Sequence, residues 1–147
     1  MSRTRNLRRQ HDAAVELVGE IVEKSARIAT PDEGYRLSVL LAKLTGILRI
    51  HFVQEDKTLY PYMIECSNPA AARTAQAFIA EMGGLSDIFD RYSQRWTQSG
   101  AIFGDPEGFR AQSKVVFDAL ADRIERENDV LYPLADAILP HEVRRTA

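Results

Sequence analysis

The sequence is poor in the residues that announce most chemistries. A single cysteine, Cys66, excludes an internal disulfide framework and any cysteine-rich zinc site. Its glycines form no phosphate-cradling loop, and no serine or cysteine stands in a nucleophile motif, so organic-cofactor and acyl-transfer chemistry lack support. Neither sign of charge dominates: 19 Lys+Arg face 21 Asp+Glu, a net charge of −2, which gives no reason to expect nucleic acid or a membrane surface as partner. Long apolar runs are missing as well. The most apolar stretch, Leu37 to Ile50, contains Lys43 and Arg49 and falls short of the ~18 apolar residues of a spanning helix. Arg3, Arg5, Arg8 and Arg9 imitate the start of a signal peptide, but Glu16, Gly19, Glu20 and Glu23 interrupt the apolar segment that such a peptide needs after its basic start. The expectation is a cytoplasmic protein of one domain, residues 1–147, with a core over about 5–138 and a frayed tail from Leu139 that includes His141.

What remains is helical pattern. Three joints divide the chain: Thr30-Pro31-Asp32-Glu33, a capping box with proline at the first helical position; Ser67-Asn68-Pro69; and Thr97 to Gly108, where Asp105 caps ahead of Pro106. The segments between them run over about 4–29, 31–66, 69–96 and 106–138. Their inward stripes are Leu7, His11, Ala14, Val18 and Ile21; then Leu37, Leu41, Leu44, Leu48, His51, Glu55 and Leu59; then Phe78, Met82, Leu85, Phe89, Tyr92 and Trp96; then Val116, Leu120, Arg123, Glu127, Leu131 and Leu134. Spacings of three and four predict amphipathic helices, and short joints predict an all-α, up-down-up-down antiparallel four-helix bundle. Pro61 and Pro133 should kink or end their helices. Ile102-Phe103, apolar for a joint, is expected to cover one end of the bundle.

The chain also repeats itself. His51-x3-Glu55-x3-Leu59-Tyr60-Pro61 aligns with Arg123-x3-Glu127-x3-Leu131-Tyr132-Pro133. Extended backwards, His11 lies forty residues before His51 and Met82 forty-one before Arg123, so the two stand at corresponding places. One half therefore offers His11, His51 and Glu55 to the interior; the other offers Met82, Arg123 and Glu127.

Two histidines and two glutamates aimed into an apolar bundle form a donor set suited to Fe(II), Mn(II) or Zn(II), since a His and a Glu at i and i+4 share one helix face. Carboxylates are rarely buried unless paired or metal-bound. A metal-free alternative stands beside this: the Arg123 guanidinium between Glu55 and Glu127 would neutralise both. Tyr60 and Tyr132 are candidates to donate hydrogen bonds to such a site, or simply amphipathic residues near the bundle end. Met82 reads as core packing, because a thioether is a poor ligand for hard Fe(II). A ferritin-like di-metal site needs Glu-x-x-His on two helices, and no histidine here has Glu three residues before it.

These residues, from His11-Asp12 through the two Leu-Tyr-Pro phrases, resemble the hemerythrin-like (HHE cation-binding) family over about residues 5 to 138. The resemblance implies a bundle holding a non-haem di-iron centre, in oxygen carriers, oxygen or iron sensors, and peroxide or nitric oxide stress proteins. His11, His51, Glu55 and Glu127 match four of that family's ligands, the two glutamates as iron bridges. Met82 and Arg123 stand where the family has histidines. The resemblance thus implies half a site: a single non-haem iron, with Mn or Zn as alternatives, and Arg123 in place of the second. Dioxygen or another small diatomic is the expected ligand, in sensing or stress response. A bundle that has lost its metal and works through a protein partner is the competing expectation.

Overall fold

The computed structural model describes residues 2–143, and these are helical with no strand among them. The first arm is α1 (Arg5–Ser25). The second runs through α2 (Pro31–Gln54), a π-helical turn (Glu55–Leu59) and α3 (Tyr60–Glu65). The third comprises α4 (Pro69–Met82) and α5 (Leu85–Trp96). The short α6 (Ala101–Gly104) precedes the fourth arm, which is α7 (Pro106–Arg126), a second π turn (Glu127–Leu131) and α8 (Tyr132–Asp136). Thr30, Asn68 and Asp105 cap the three arms that begin with proline by accepting backbone N–H bonds from Glu33, from Ala70 and Ala71, and from Gly108. Glu33 reaches back to the amide of Ala29, one residue beyond the capping-box partner.

The stripes read from sequence are the buried faces, with Val18 and Leu134 at their half-buried margins. They build two apolar clusters. One holds Ile21, Leu37, Leu41, Leu44, Phe89, Trp96, Phe109 and Leu120; the other holds Leu7, Met63, Ala71, Phe78, Leu131 and Tyr132. Each buried large side chain contributes roughly 1.5–3 kcal/mol. By length and composition alone, the arm Pro31–Glu65 qualifies to cross a membrane, which a count of uninterrupted apolar residues does not show. Here its leucines pack into the core.

Three details correct the sequence expectations. Pro61 and Pro133 do not end their helices. In a continuous α-helix the Pro61 ring would clash with the carbonyl of Lys57, and Pro133 with that of Asp129. Each π turn widens the coil over just those residues, closing with an i→i+5 bond from the Tyr60 amide to the Glu55 carbonyl and from Tyr132 to Glu127. The third arm, read as continuous, breaks at Gly83-Gly84, where a side chain at 83 would meet the Ile79 carbonyl at 2.7 Å. The tail is not frayed up to Val143. Pro140–Glu142 forms a 3₁₀ turn, the Ser67 amide bonds the Glu142 carbonyl, and Arg3 donates to the Ala135 and Ile138 carbonyls. The last four residues of the expected tail lie outside the described ones. As expected of the third joint, α6 closes one end, burying Ile102 and passing so near α2 that a side chain at Gly34 would press on Phe103 at 3.0 Å.

Candidate metal centre

A polar layer crosses the interior where the two apolar clusters meet. α1 brings His11, α2 brings His51, α7 brings Arg123, and the π turns begin at Glu55 and Glu127; all five side chains are buried. His11 Nε2 and His51 Nε2 stand 3.1 Å apart, and Glu127 Oε1 lies 2.9 Å from the first and 3.5 Å from the second. His11, His51 and Glu127 are therefore placed to hold a metal ion among them.

Hydrogen bonds at the outer nitrogens fix both rings. His11 Nδ1 bonds Asn128 Oδ1 at 2.8 Å, and His51 Nδ1 bonds Gln10 Oε1 at 2.7 Å. An amide oxygen only accepts, so each Nδ1 carries the proton and each Nε2 faces inward, the tautomer of a metal-ligating histidine. Gln10, the chain neighbour of His11, orients His51, and Asn128, the neighbour of Glu127, orients His11. Sequence reasoning missed both; adjacency to His11 and Glu127 was the one available signal.

Glu127 divides its oxygens. Oε1 faces the histidines, while Oε2 accepts from Arg123 Nε at 3.1 Å and from the Tyr60 hydroxyl at 3.4 Å. Glu55, on the opposite arm, accepts from Arg123 Nη2 at 3.0 Å through Oε1, which also lies 3.0 Å from His51 Nε2. Its Oε2 accepts from Tyr132 at 3.2 Å. Arg123 completes its bonds on the Met82 carbonyl at 3.3 Å and lies 4.5 Å over the Phe52 ring. The break at Gly83-Gly84 leaves that carbonyl at a helix end, free of the α-helical ladder. Met82 thus serves Arg123 through its backbone, while its thioether packs in the core.

Both tyrosines belong to the layer rather than to the bundle end. At 3.6 residues per turn, a residue five positions on in an α-helix points well away from the first. The i→i+5 closure stacks them instead, so Tyr132 lies over Glu127 with Oη 3.3 Å from Oε1. The His11 ring stacks on that of Tyr132, centroids 5.1 Å apart.

This crowding sets the electrostatics. Burial opposes charge on His51, but hydrogen bonds to Glu127 and Glu55 and their charges outweigh it and lift the imidazole to about 9. Burial raises Glu55, partly offset by His51 and reinforced by the neighbouring Glu127 carboxylate, to about 7. Burial works on Glu127 too, yet His11, His51 and Arg123 hold it well below the usual carboxylate range. Arg123 stays charged: the two carboxylates overcome its burial. Burial beside the same carboxylates drives both Tyr60 and Tyr132 upward.

Comparison with known proteins gives a family for most of the chain. The hemerythrin HHE cation-binding domain matches residues 2–135. The iron-sulfur cluster repair protein DnrN of Neisseria gonorrhoeae is 27% identical over 129 residues, covering 83% of this chain and 80% of that protein. No solved structure matches the chain. With a helical bundle, an inward histidine pair and a family match over nearly its whole length, the chain belongs to the hemerythrin HHE cation-binding domain family.

Proposed function

We propose that this protein binds a single non-haem metal ion, iron by preference, at His11, His51 and Glu127, with Glu55 beside them. In the same reading the four arms alternate in direction around the site. The observation that carries it is the convergence of His11 Nε2, His51 Nε2 and Glu127 Oε1, with both rings anchored through Nδ1. The donor set fits Fe(II), Mn(II) and Zn(II) alike; the family and the iron-sulfur cluster repair relative favour iron. Iron held there would supply one-electron chemistry toward dioxygen or another small diatomic.

The chain's own residues limit that chemistry. Arg123 stands between Glu55 and Glu127, where its fixed charge substitutes for a second cation and excludes a two-iron reaction. Gln10 and Asn128 hold the imidazoles in place, and the side chains of the site lie almost wholly out of water. A buried, one-metal site suits a sensor or stress protein better than a reversible oxygen carrier. We place that role in the cytoplasm, and the relative's repair of iron-sulfur clusters is one form it takes.

The test is metal analysis of protein purified without oxygen and reconstituted with Fe(II). The expected result is about one iron per chain, lost in His51→Ala. Absence of any specific metal would favour the second reading, which the Arg123 ion pairs support: a bundle whose carboxylates are neutralised without metal and whose work is done through a protein partner.

A further inference from the structure

Resting on the metal-binding reading above, we propose that Tyr132 is a metal ligand, its phenolate oxygen closing a four-coordinate site with His11, His51 and Glu127. The geometry is preformed. Tyr132 Oη lies 3.2 Å from His11 Nε2, 3.4 Å from His51 Nε2 and 3.3 Å from Glu127 Oε1. Those three atoms are themselves 3.1, 2.9 and 3.5 Å apart. The four atoms mark the corners of a near-regular tetrahedron. Its centre lies about 2.0 Å from each corner, the bond length of a first-row metal to histidine nitrogen or carboxylate oxygen.

Hydrogen bonding alone does not account for the arrangement. Tyr132 has one hydroxyl proton and four acceptors within reach: two imidazole nitrogens, Glu127 Oε1 and Glu55 Oε2. Donated to Glu55, that proton leaves the oxygen lone pairs facing two imidazole nitrogens and a carboxylate, more acceptors than the single Nε2 proton of a charged His51 can serve. Charge balance points the same way. A divalent ion and Arg123 carry three positive charges into the layer; Glu55, Glu127 and a Tyr132 phenolate carry three negative ones. With a neutral phenol the buried layer would hold one uncompensated positive charge. Binding as a phenolate would break the O–H bond and release one proton to solvent per metal bound, with Glu55 Oε2, 3.2 Å away, as its first acceptor. Glu55 is then a positioning residue, held between Arg123 and Tyr132.

Tyr60, the repeat's counterpart, supplies the control. Its hydroxyl bonds Glu127 Oε2 on the Arg123 side of the carboxylate, away from the histidines.

The experiment uses the full chain loaded with Co(II), with Zn(II), and with Fe(II) followed by air oxidation. Wild type should give the intense visible bands of four-coordinate Co(II). Its Fe(III) form should show a phenolate-to-iron charge-transfer band with tyrosine modes in the resonance Raman spectrum. Tyr132→Phe should abolish the charge-transfer band and weaken Zn(II) by more than the ~10–100-fold typical of losing an outer partner; Tyr60→Phe, which removes only an outer hydrogen bond to Glu127, should keep the band. Far-ultraviolet circular dichroism verifies that each variant is folded, and Tyr132→His, which restores a nitrogen donor, should recover part of the affinity without the band. A wild-type protein that binds metal but lacks the band, or a Tyr132→Phe variant that keeps it, overturns the tyrosine ligand alone. A wild-type protein that binds none of the three metals overturns the metal-binding reading, and this inference with it.

Discussion

The two halves of the repeat share a backbone and differ in one decisive side chain. In both, a glutamate opens a π turn, a tyrosine closes it, and a proline comes next without breaking the helix. In the first half the position one turn before the glutamate is His51; in the second it is Arg123. His51 joins His11 and turns its Nε2 toward Glu55 and Glu127, where it carries a proton in the metal-free protein and, in the proposed reading, gives it up to a metal ion. Arg123 is itself the cation, and it spreads over Glu55, Glu127 and the Met82 carbonyl. The scaffold therefore does not decide the chemistry. It delivers a carboxylate and a phenol from each half to the layer, and the residue four positions before the glutamate sets whether that half adds an imidazole, which in the proposed reading takes a metal, or a fixed charge.

The most drastic way to break the difference is to remove it. Met82→His with Arg123→His restores histidines to the second half, and iron per chain should rise from about one toward two by metal analysis; unchanged stoichiometry would show that the second half has lost more than ligands. Arg123→Ala alone asks what the fixed charge contributes. With no metal present it strands two buried carboxylates, so urea unfolding of metal-free protein should show a loss of about 3–5 kcal/mol. His51→Ala removes a partner from the same network but leaves Arg123 to neutralise both glutamates, and should cost less.

The halves also differ in their response to pH. His51 lies at about 9 in the folded protein against about 6.5 when unfolded, so its contribution is complete below about 6.5 and vanishes as pH rises to about 9. Glu55, raised to about 7, acts with the same sign at lower pH: the folded state favours its proton, and stability falls as pH climbs from about 4.5 to about 7. Glu127 has the opposite sign, and its contribution is lost in acid. Metal-free protein should accordingly lose on the order of 1–3 kcal/mol between pH 6.5 and 9, a slope that His51→Gln removes and Arg123, charged throughout, does not produce. Metal affinity should rise over the same interval, because the ion displaces the imidazole proton.

Much of this was legible in the sequence. Three- and four-residue spacing found each arm, and aligning the chain with itself placed His11, His51, Glu55, Glu127, Met82 and Arg123 in one layer. What escaped was set by backbone detail or by packing. A stripe that runs smoothly through Met82 and Leu85 hides the Gly83-Gly84 break, because periodicity registers side chains and not carbonyls. Leu-Tyr-Pro read as two helix kinks or ends, since proline's missing amide is visible in sequence and a compensating π turn is not. For the same reason Tyr132 looked peripheral: only a five-residue turn brings it over Glu127.

The residues hardest to foresee provide the finest probe of the comparison. Gln10 and Asn128 have no counterparts serving Arg123, whose planar fork is oriented by the carboxylates it binds. A neutral imidazole needs an acceptor at Nδ1 to direct its Nε2 inward. Asn128→Ala frees the His11 ring to rotate and exchange tautomers, and Gln10→Ala does the same for His51. Each should weaken Zn(II) by about tenfold, with stoichiometry and fold intact. The double variant should lose more than either, because both rings must be aligned for one ion to bind. Arg123's ion pairs should survive all three, so metal-free stability will change little. Calorimetric titration with Zn(II), set beside urea unfolding of the same variants, reads both sides at once. A large loss of metal-free stability would mean that these amides brace the bundle, and undiminished affinity would mean that packing alone aligns the rings.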